Sequence, residues 1–143
     1  MAPPRDTFPG DDCSDGVPLA KILIVEGDVL QALALEGELT AAGHAVIGPA
    51  ASVAAALELL NRKPPDFVLL DVVLEDRELA YPLARKLEAR GIPFAFVTAH
   101  ASARIRARWQ DRPVLRKPYD RAQLRRLLDE CLVAARGPTR TAG

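Results

Sequence analysis

Between residues 20 and 136, short apolar runs alternate with amphipathic stretches. The first run, Ile22-Leu23-Ile24-Val25, is continuous rather than alternating, as in a strand buried on both faces. The pattern predicts a helix from about Val29 to Ala42, closed by Gly43 as its C-terminal cap. Ala45-Val46-Ile47 reads as a short second strand ended by Gly48-Pro49. Ser52 then suits the N-cap of a helix with Val53, Ala56, Leu57 and Leu60 on one face. The third strand is Phe67-Val68-Leu69-Leu70, after the breaker Pro64-Pro65. A helix with Leu79, Leu83 and Leu87 on one stripe follows and ends at Gly91, with Pro82 near its start, where proline is tolerated. Phe94-Ala95-Phe96-Val97 is the fourth strand, and a short arginine-rich helix spans about Ser102 to Gln110. Val114-Leu115 is the fifth strand. The last helix opens at Asp120, with Gln123 completing a capping box, and buries Leu124, Leu127, Leu128, Cys131, Leu132 and Ala135.

Five strand–helix units in succession predict an α/β domain, a five-stranded parallel sheet wound on both faces by five helices. The chain has 143 residues, 49% of them hydrophobic, enough for one packed core. Residues 1–19 are rich in Pro, Asp and Gly and read as a disordered leader, residues 20–136 as the domain, and 137–143 as a disordered tail. No effector domain is expected beyond the last helix.

The formal net charge is zero, which argues against broad electrostatic binding to nucleic acid or an anionic membrane. The balance conceals an asymmetry. Residues 1–100 carry 8 basic and 15 acidic side chains, and the remainder carry 11 basic and 4 acidic. Most of those arginines read as a solvated face. The sharper reading is a docking surface, with Arg104, Arg108, Trp109 and Arg116 as its candidates. Arg104, Arg106 and Arg108 share the short fourth helix with few apolar anchors beyond Ile105 and Trp109, so that helix should shift easily. Trp109 itself reads more readily as a packing residue. The two cysteines, Cys13 and Cys131, have no metal-type spacing and no disulfide framework, and no signal peptide or apolar span of membrane length is present. A cytoplasmic protein is the expectation.

In a doubly wound sheet the site lies beyond the carboxyl ends of the strands. There the chain places Glu26-Gly27-Asp28, Asp71, Thr98-Ala99-His100 and Arg116-Lys117-Pro118. Each residue alone is an ordinary cap or turn residue. Gathered at one rim, they make a chemical set. Carboxylates crowded together repel unless neutralised, and Mg²⁺ held by one or two carboxylates plus phosphate oxygens would do so. A carboxylate can attack phosphorus, and a lysine can offset charge on the transferring group.

Ile22-Leu23-Ile24-Val25-Glu26, Pro65-Asp66-Phe67-Val68-Leu69-Leu70-Asp71-Val72, Phe96-Val97-Thr98-Ala99 and Leu115-Arg116-Lys117-Pro118-Tyr119 resemble, in order and spacing, the four signature segments of response-regulator receiver domains. The resemblance covers about residues 20–135 and implies a flavodoxin-like fold with strand order 2-1-3-4-5. It implies that Asp71 is the phosphoacceptor, Thr98 the switch hydroxyl beside Ala99, and Lys117 the phosphate-pairing lysine. It also implies a cis bond before Pro118, and Mg²⁺ bound by Glu26, Asp71 and the Val73 carbonyl. The implied donor is a phosphohistidine on a sensor histidine kinase. Output would pass to a downstream protein, or to a second copy through the fourth helix, fifth strand and fifth helix.

Two departures stand out. Gly27 occupies the position of a metal-ligating acid, so Glu26 or Asp28 must reach in, or metal binding and phosphorylation fall. On this reading an aspartate at 27 would tighten Mg²⁺ binding. Val114 stands where many members carry a switch aromatic. The segment Leu74-Glu75-Asp76-Arg77-Glu78 also lacks the common proline-glycine loop and resembles a subgroup of stand-alone receivers. The favoured expectation is a non-enzymatic single-domain response regulator. The alternative is a degenerate receiver that works unphosphorylated as an interaction module. An enzyme on this sheet is disfavoured, because no glycine-rich phosphate loop follows strand one and Val73 stands where a second catalytic acid would be needed.

Overall fold

The computed structural model describes residues 19–99, 109 and 111–142. The predicted leader lies almost entirely outside these residues, as does the predicted arginine-rich helix apart from Trp109. Five strands form one parallel sheet: β1 (Lys21–Val25), β2 (Ala45–Ala50), β3 (Phe67–Leu70), β4 (Phe94–Thr98) and β5 (Val114–Arg116). Their order is β2-β1-β3-β4-β5, as expected. The connecting helices are α1 (Val29–Ala41), α2 (Val53–Arg62), α3 (Tyr81–Ala89) and α4 (Arg121–Ala142), with a single 3₁₀ turn at Glu75–Arg77.

Side chains alternate across each strand, so one run feeds two cores. Leu23, Val25, Val68, Leu70, Phe94 and Phe96 face α2 and α3, where Ala56, Leu60, Tyr81, Leu83, Ala84 and Leu87 are buried. Ile22, Ile24, Phe67, Leu69, Ala95, Val97 and Leu115 pack on the other face against Leu35, Leu39, Leu124, Leu128 and Leu132. Coverage on both faces is the reason the strands read as unbroken apolar runs.

The helix ends follow local chemistry. Ser52 Oγ accepts from the Ala55 N–H at 3.1 Å. Asp120 and Gln123 form the reciprocal capping box, at 2.8 and 2.9 Å. Past α1 the chain turns at Gly43 with φ of 97°, a left-handed conformation that costs glycine little.

Three boundaries differ from the pattern. β2 continues through Gly48-Pro49 to Ala50, because it is an edge strand and its outer side needs no N–H donor. The α3 stripe begins with Tyr81 rather than Leu79. Leu79 is 41% exposed and pairs with Val73 in an isolated antiparallel bridge before the helix. The α4 backbone runs to Ala142, past the predicted domain end at 136, since extending a formed helix adds a hydrogen bond for each residue fixed. No helix among the described residues is long and apolar enough to cross a membrane.

Candidate functional site

Three strands, β1, β3 and β5, each hand their next residue to a common rim through one further ladder hydrogen bond. After β1, the Glu26 N–H donates to the Ala50 carbonyl at 2.9 Å. After β3, the Asp71 N–H donates to the Val25 carbonyl at 2.9 Å, and after β5 the Lys117 N–H donates to the Thr98 carbonyl at 2.9 Å. The sheet register therefore sets the backbone positions of all three functional side chains.

Their side chains meet. The Lys117 ammonium donates to Glu26 Oε1 at 2.6 Å and to Asp71 Oδ2 at 2.9 Å. These side chains are only 6 to 12% exposed, so the ion cluster is largely withdrawn from water. Backbone donors hold the outer oxygens: the Asp28 N–H donates to Glu26 Oε2 at 3.0 Å, and the Val73 N–H to Asp71 Oδ1 at 3.4 Å. Burial pushes the Glu26 carboxyl above its ordinary range, against the relief supplied by the Lys117 hydrogen bond. Burial also acts to lower the Lys117 pKa, but its bonds to Glu26 and Asp71 outweigh that and raise it. The lysine is thus held charged, one cation shared by two acidic side chains.

The cluster opens into a cavity of about 390 Å³ lined by Glu26, Gly27, Asp28, Gln31, Asp71, Val73, Leu74, Glu75, Ala99 and Lys117. Asp28 lines it but is engaged elsewhere. Its Oδ1 caps α1 by accepting from the Gln31 N–H at 3.1 Å, and Oδ2 accepts from Gln31 Nε2 at 3.3 Å. That backbone hydrogen bond lowers its pKa. Against the expectation that Asp28 stands in for an acid at 27, its carboxylate in this structure serves the helix terminus.

Gly27 has a geometric reason to be glycine. A Cβ there would lie 2.7 Å from the Glu75 backbone N and 3.1 Å from the Leu74 backbone C. The loop after β3 sits directly on position 27, so an aspartate introduced there must displace backbone before it can serve a metal. Glu75, which the sequence reading passed over, enters the cavity wall through this packing. The only sequence signal was the unusual loop around it.

Thr98 ends β4 fully buried, while Ala99 is exposed and lines the cavity. The Lys117–Pro118 bond is cis, and so is Gly48–Pro49. Val114 is 38% exposed at the edge of β5, with no aromatic in its place.

The donor set is oxygen only: two carboxylates and the Val73 backbone. Among the described residues no three Asp, Glu, His or Cys groups are placed to cage an ion. Two carboxylates with a backbone oxygen would suit Mg²⁺, a hard cation commonly bound through one or two carboxylates with water and phosphate oxygens.

The model of the response regulator receiver domain family matches residues 22–129. The chain belongs to that family. Receiver domains of known structure share its architecture. SdrG from Sphingomonas melonis Fr1 is 36% identical, with a TM-score of 0.69 over 82% of this chain and 95% of that one. The response regulator PhyR from Brucella abortus is 25% identical, with a TM-score of 0.76 over 87% of this chain. The anti-anti-sigma factor PhyR from Bartonella quintana is 23% identical, with a TM-score of 0.78 over 92% of this chain, a likeness of fold alone. This receiver spans about half the length of the two PhyR chains, 52% and 54%. No curated protein matches the chain.

The proposed docking surface of the receiver resolves into different roles. Arg116 is exposed on β5. Trp109 is 1% exposed and stacks edge-on against Phe94 with centroids 5.7 Å apart, so it is a core residue and leaves the surface set. Its bulk fills space that the sheet face would otherwise leave open. Arg104 and Arg108 lie outside the described residues.

Proposed function

We propose that this receiver accepts a phosphoryl group on Asp71 from a phosphohistidine of a sensor kinase, in the cytoplasm, and signals through protein contacts rather than by catalysing a reaction of its own. The observation that supports this most directly is the single ammonium of Lys117 bonded at once to Glu26 and Asp71 at the mouth of an open cavity. In the transfer an Asp71 carboxylate oxygen forms the new P–O bond as the donor P–N bond breaks. Lys117 already contacts the accepting carboxylate and is placed to pair with the incoming phosphoryl oxygens. Glu26, Asp71 and the Val73 carbonyl would hold Mg²⁺, which offsets phosphoryl charge. Phosphorylation adds about −1.5 to −2 charges at this rim. Lys117 must then redistribute its bonds. Because Lys117 directly follows β5 and its N–H bonds to Thr98, the change is felt along β4 and β5. Output would reach a downstream protein, or a second copy, through the side of the domain that carries β5 and α4.

A second reading is favoured by one observation, the closure of position 27 by the Glu75 backbone. On it the chain is a degenerate receiver whose contacts do not depend on phosphate. Incubation with Mg²⁺ and acetyl phosphate, followed by intact-mass measurement, separates the two. We expect one phosphoryl adduct on the wild type and none on Asp71→Asn. Labelling that persists in the variant removes Asp71 from the role, and absence of labelling in both favours the degenerate reading.

A further inference from the structure

The loop between β3 and α3 crosses the site and is tied down at several points. The Leu74 N–H donates to the Glu78 carbonyl at 2.6 Å, the Arg77 N–H to the Leu74 carbonyl at 3.1 Å, and the Ala80 N–H to the Val72 carbonyl at 2.9 Å. Two further bonds anchor it to the start of α2: the Glu75 N–H to the Ala51 carbonyl at 3.4 Å, and the Val53 N–H to Glu78 Oε1 at 3.0 Å. Arg77 turns the chain with φ of 62°, in the left-handed region. This ordered excursion sets the Glu75 backbone against Gly27, in the volume that a side chain at 27 would need.

We propose that Glu75 does the work of the acid missing at position 27, as a ligand to the divalent cation, direct or through one bound water, reached by a turn of its exposed side chain from the loop that packs on Gly27. The inference rests on the phosphoacceptor reading above. Asp71, Val73 and Glu75 come from one continuous segment, and all three line the same cavity as Glu26. Lys117 already neutralises part of the Glu26–Asp71 pair, so a further acid is what a divalent ion gains most from. The Glu75 side chain is exposed and can swing on its own torsions without disturbing the core. Asp28, the other acid at this rim, is committed to the cap of α1. The closed glycine and the acid that closes it are then one arrangement, with the charge carried by the loop that packs on position 27 instead of by position 27 itself.

The test is calorimetric titration with Mg²⁺ alone, without any phosphodonor, on the wild type, Glu75→Gln, Asp71→Asn and Glu58→Gln, an exposed acid on α2. Glu75→Gln is an exposed, isosteric change and should leave the thermal midpoint unmoved. We expect it to weaken Mg²⁺ binding about tenfold, the scale seen when a residue supporting a metal site is lost. Glu58→Gln should bind as the wild type does. If Glu75→Gln binds Mg²⁺ as tightly as the wild type, this inference falls and the phosphoacceptor reading stands. If the wild type itself binds no Mg²⁺ at millimolar concentration, both fall together.

Discussion

Placing one methyl group at position 27 probes the packing of the loop after β3 against Gly27. In Gly27→Ala the new Cβ would meet the Glu75 backbone N at 2.7 Å. Ordinary contact begins at 3.4 Å, so the loop must retreat by about 0.7 Å, the difference between those two distances. The retreat stretches the Glu75–Ala51 hydrogen bond, already long at 3.4 Å. It also pulls on a turn held by the short Leu74–Glu78 bond. Overpacking of this kind costs about 1–3 kcal/mol. Removing glycine stiffens the unfolded chain and returns about 0.4–1 kcal/mol. The net loss is about 1–2 kcal/mol, or a midpoint lower by roughly 4–8 °C for a domain of this size. Gly37 is the internal control. It lies inside α1 with nothing within 4 Å of an added Cβ. Gly37→Ala should therefore raise the midpoint, since glycine costs about 0.5–1 kcal/mol relative to alanine in a helix. Thermal unfolding followed by circular dichroism on the two variants and the wild type gives the answer. If Gly27→Ala is as stable as the wild type, the loop does not press on position 27. The account of this glycine, and of Glu75 with it, would then be wrong.

Other perturbations test the remaining parts. Lys117→Met leaves Glu26 and Asp71 buried together without their cation and should cost about 3 kcal/mol at pH 7. The penalty should shrink in acid, as Glu26, whose carboxyl pKa burial already raises, takes up a proton; an equal penalty at neutral and acid pH in urea melts would refute the ion-cluster argument. Trp109→Ala should destabilise by about 3–5 kcal/mol, because its ring is enclosed in the core. A loss under about 1 kcal/mol in the same assay would return Trp109 to the surface. His44 is buried, and its Nδ1 accepts from the Ala20 N–H at 3.1 Å, so the ring is neutral there. Burial lowers its pKa below 6.5, with Asp129 opposing the shift and Arg125 adding to it from α4. Below 6.5 the unfolded chain takes up the proton first, so the His44 contribution to stability is complete above 6.5 and is lost as the pH falls further. His44→Gln should flatten the fall in stability between pH 7.5 and 5.5, and an unchanged slope would rule His44 out as its source.

Much of this protein was legible in the order of its residues. Ile22–Val25, Phe67–Leu70 and Phe94–Val97 are apolar without a break because both faces of a parallel sheet are covered, and a strand buried on both sides has no polar position to show. Ser52, Asp120 and Gln123 act on backbone three residues away, so their roles are local and visible in the chain. Asp71 and Lys117 were found because strand ends converge in any sheet of this winding. What folding alone decided involves residues that meet across long separations or serve neighbours of another kind. Asp28 looked free to replace a lost acid and instead caps α1. Leu79 shared a helical spacing with Leu83 but falls before the helix, where Tyr81 takes the buried place. Gly27 read as a missing ligand, and only the path of the loop 48 residues further on shows that no side chain fits there. Periodicity reports which way a side chain faces along its own element. It carries no information about which backbone will come to rest against it, and at this site that contact sets the chemistry.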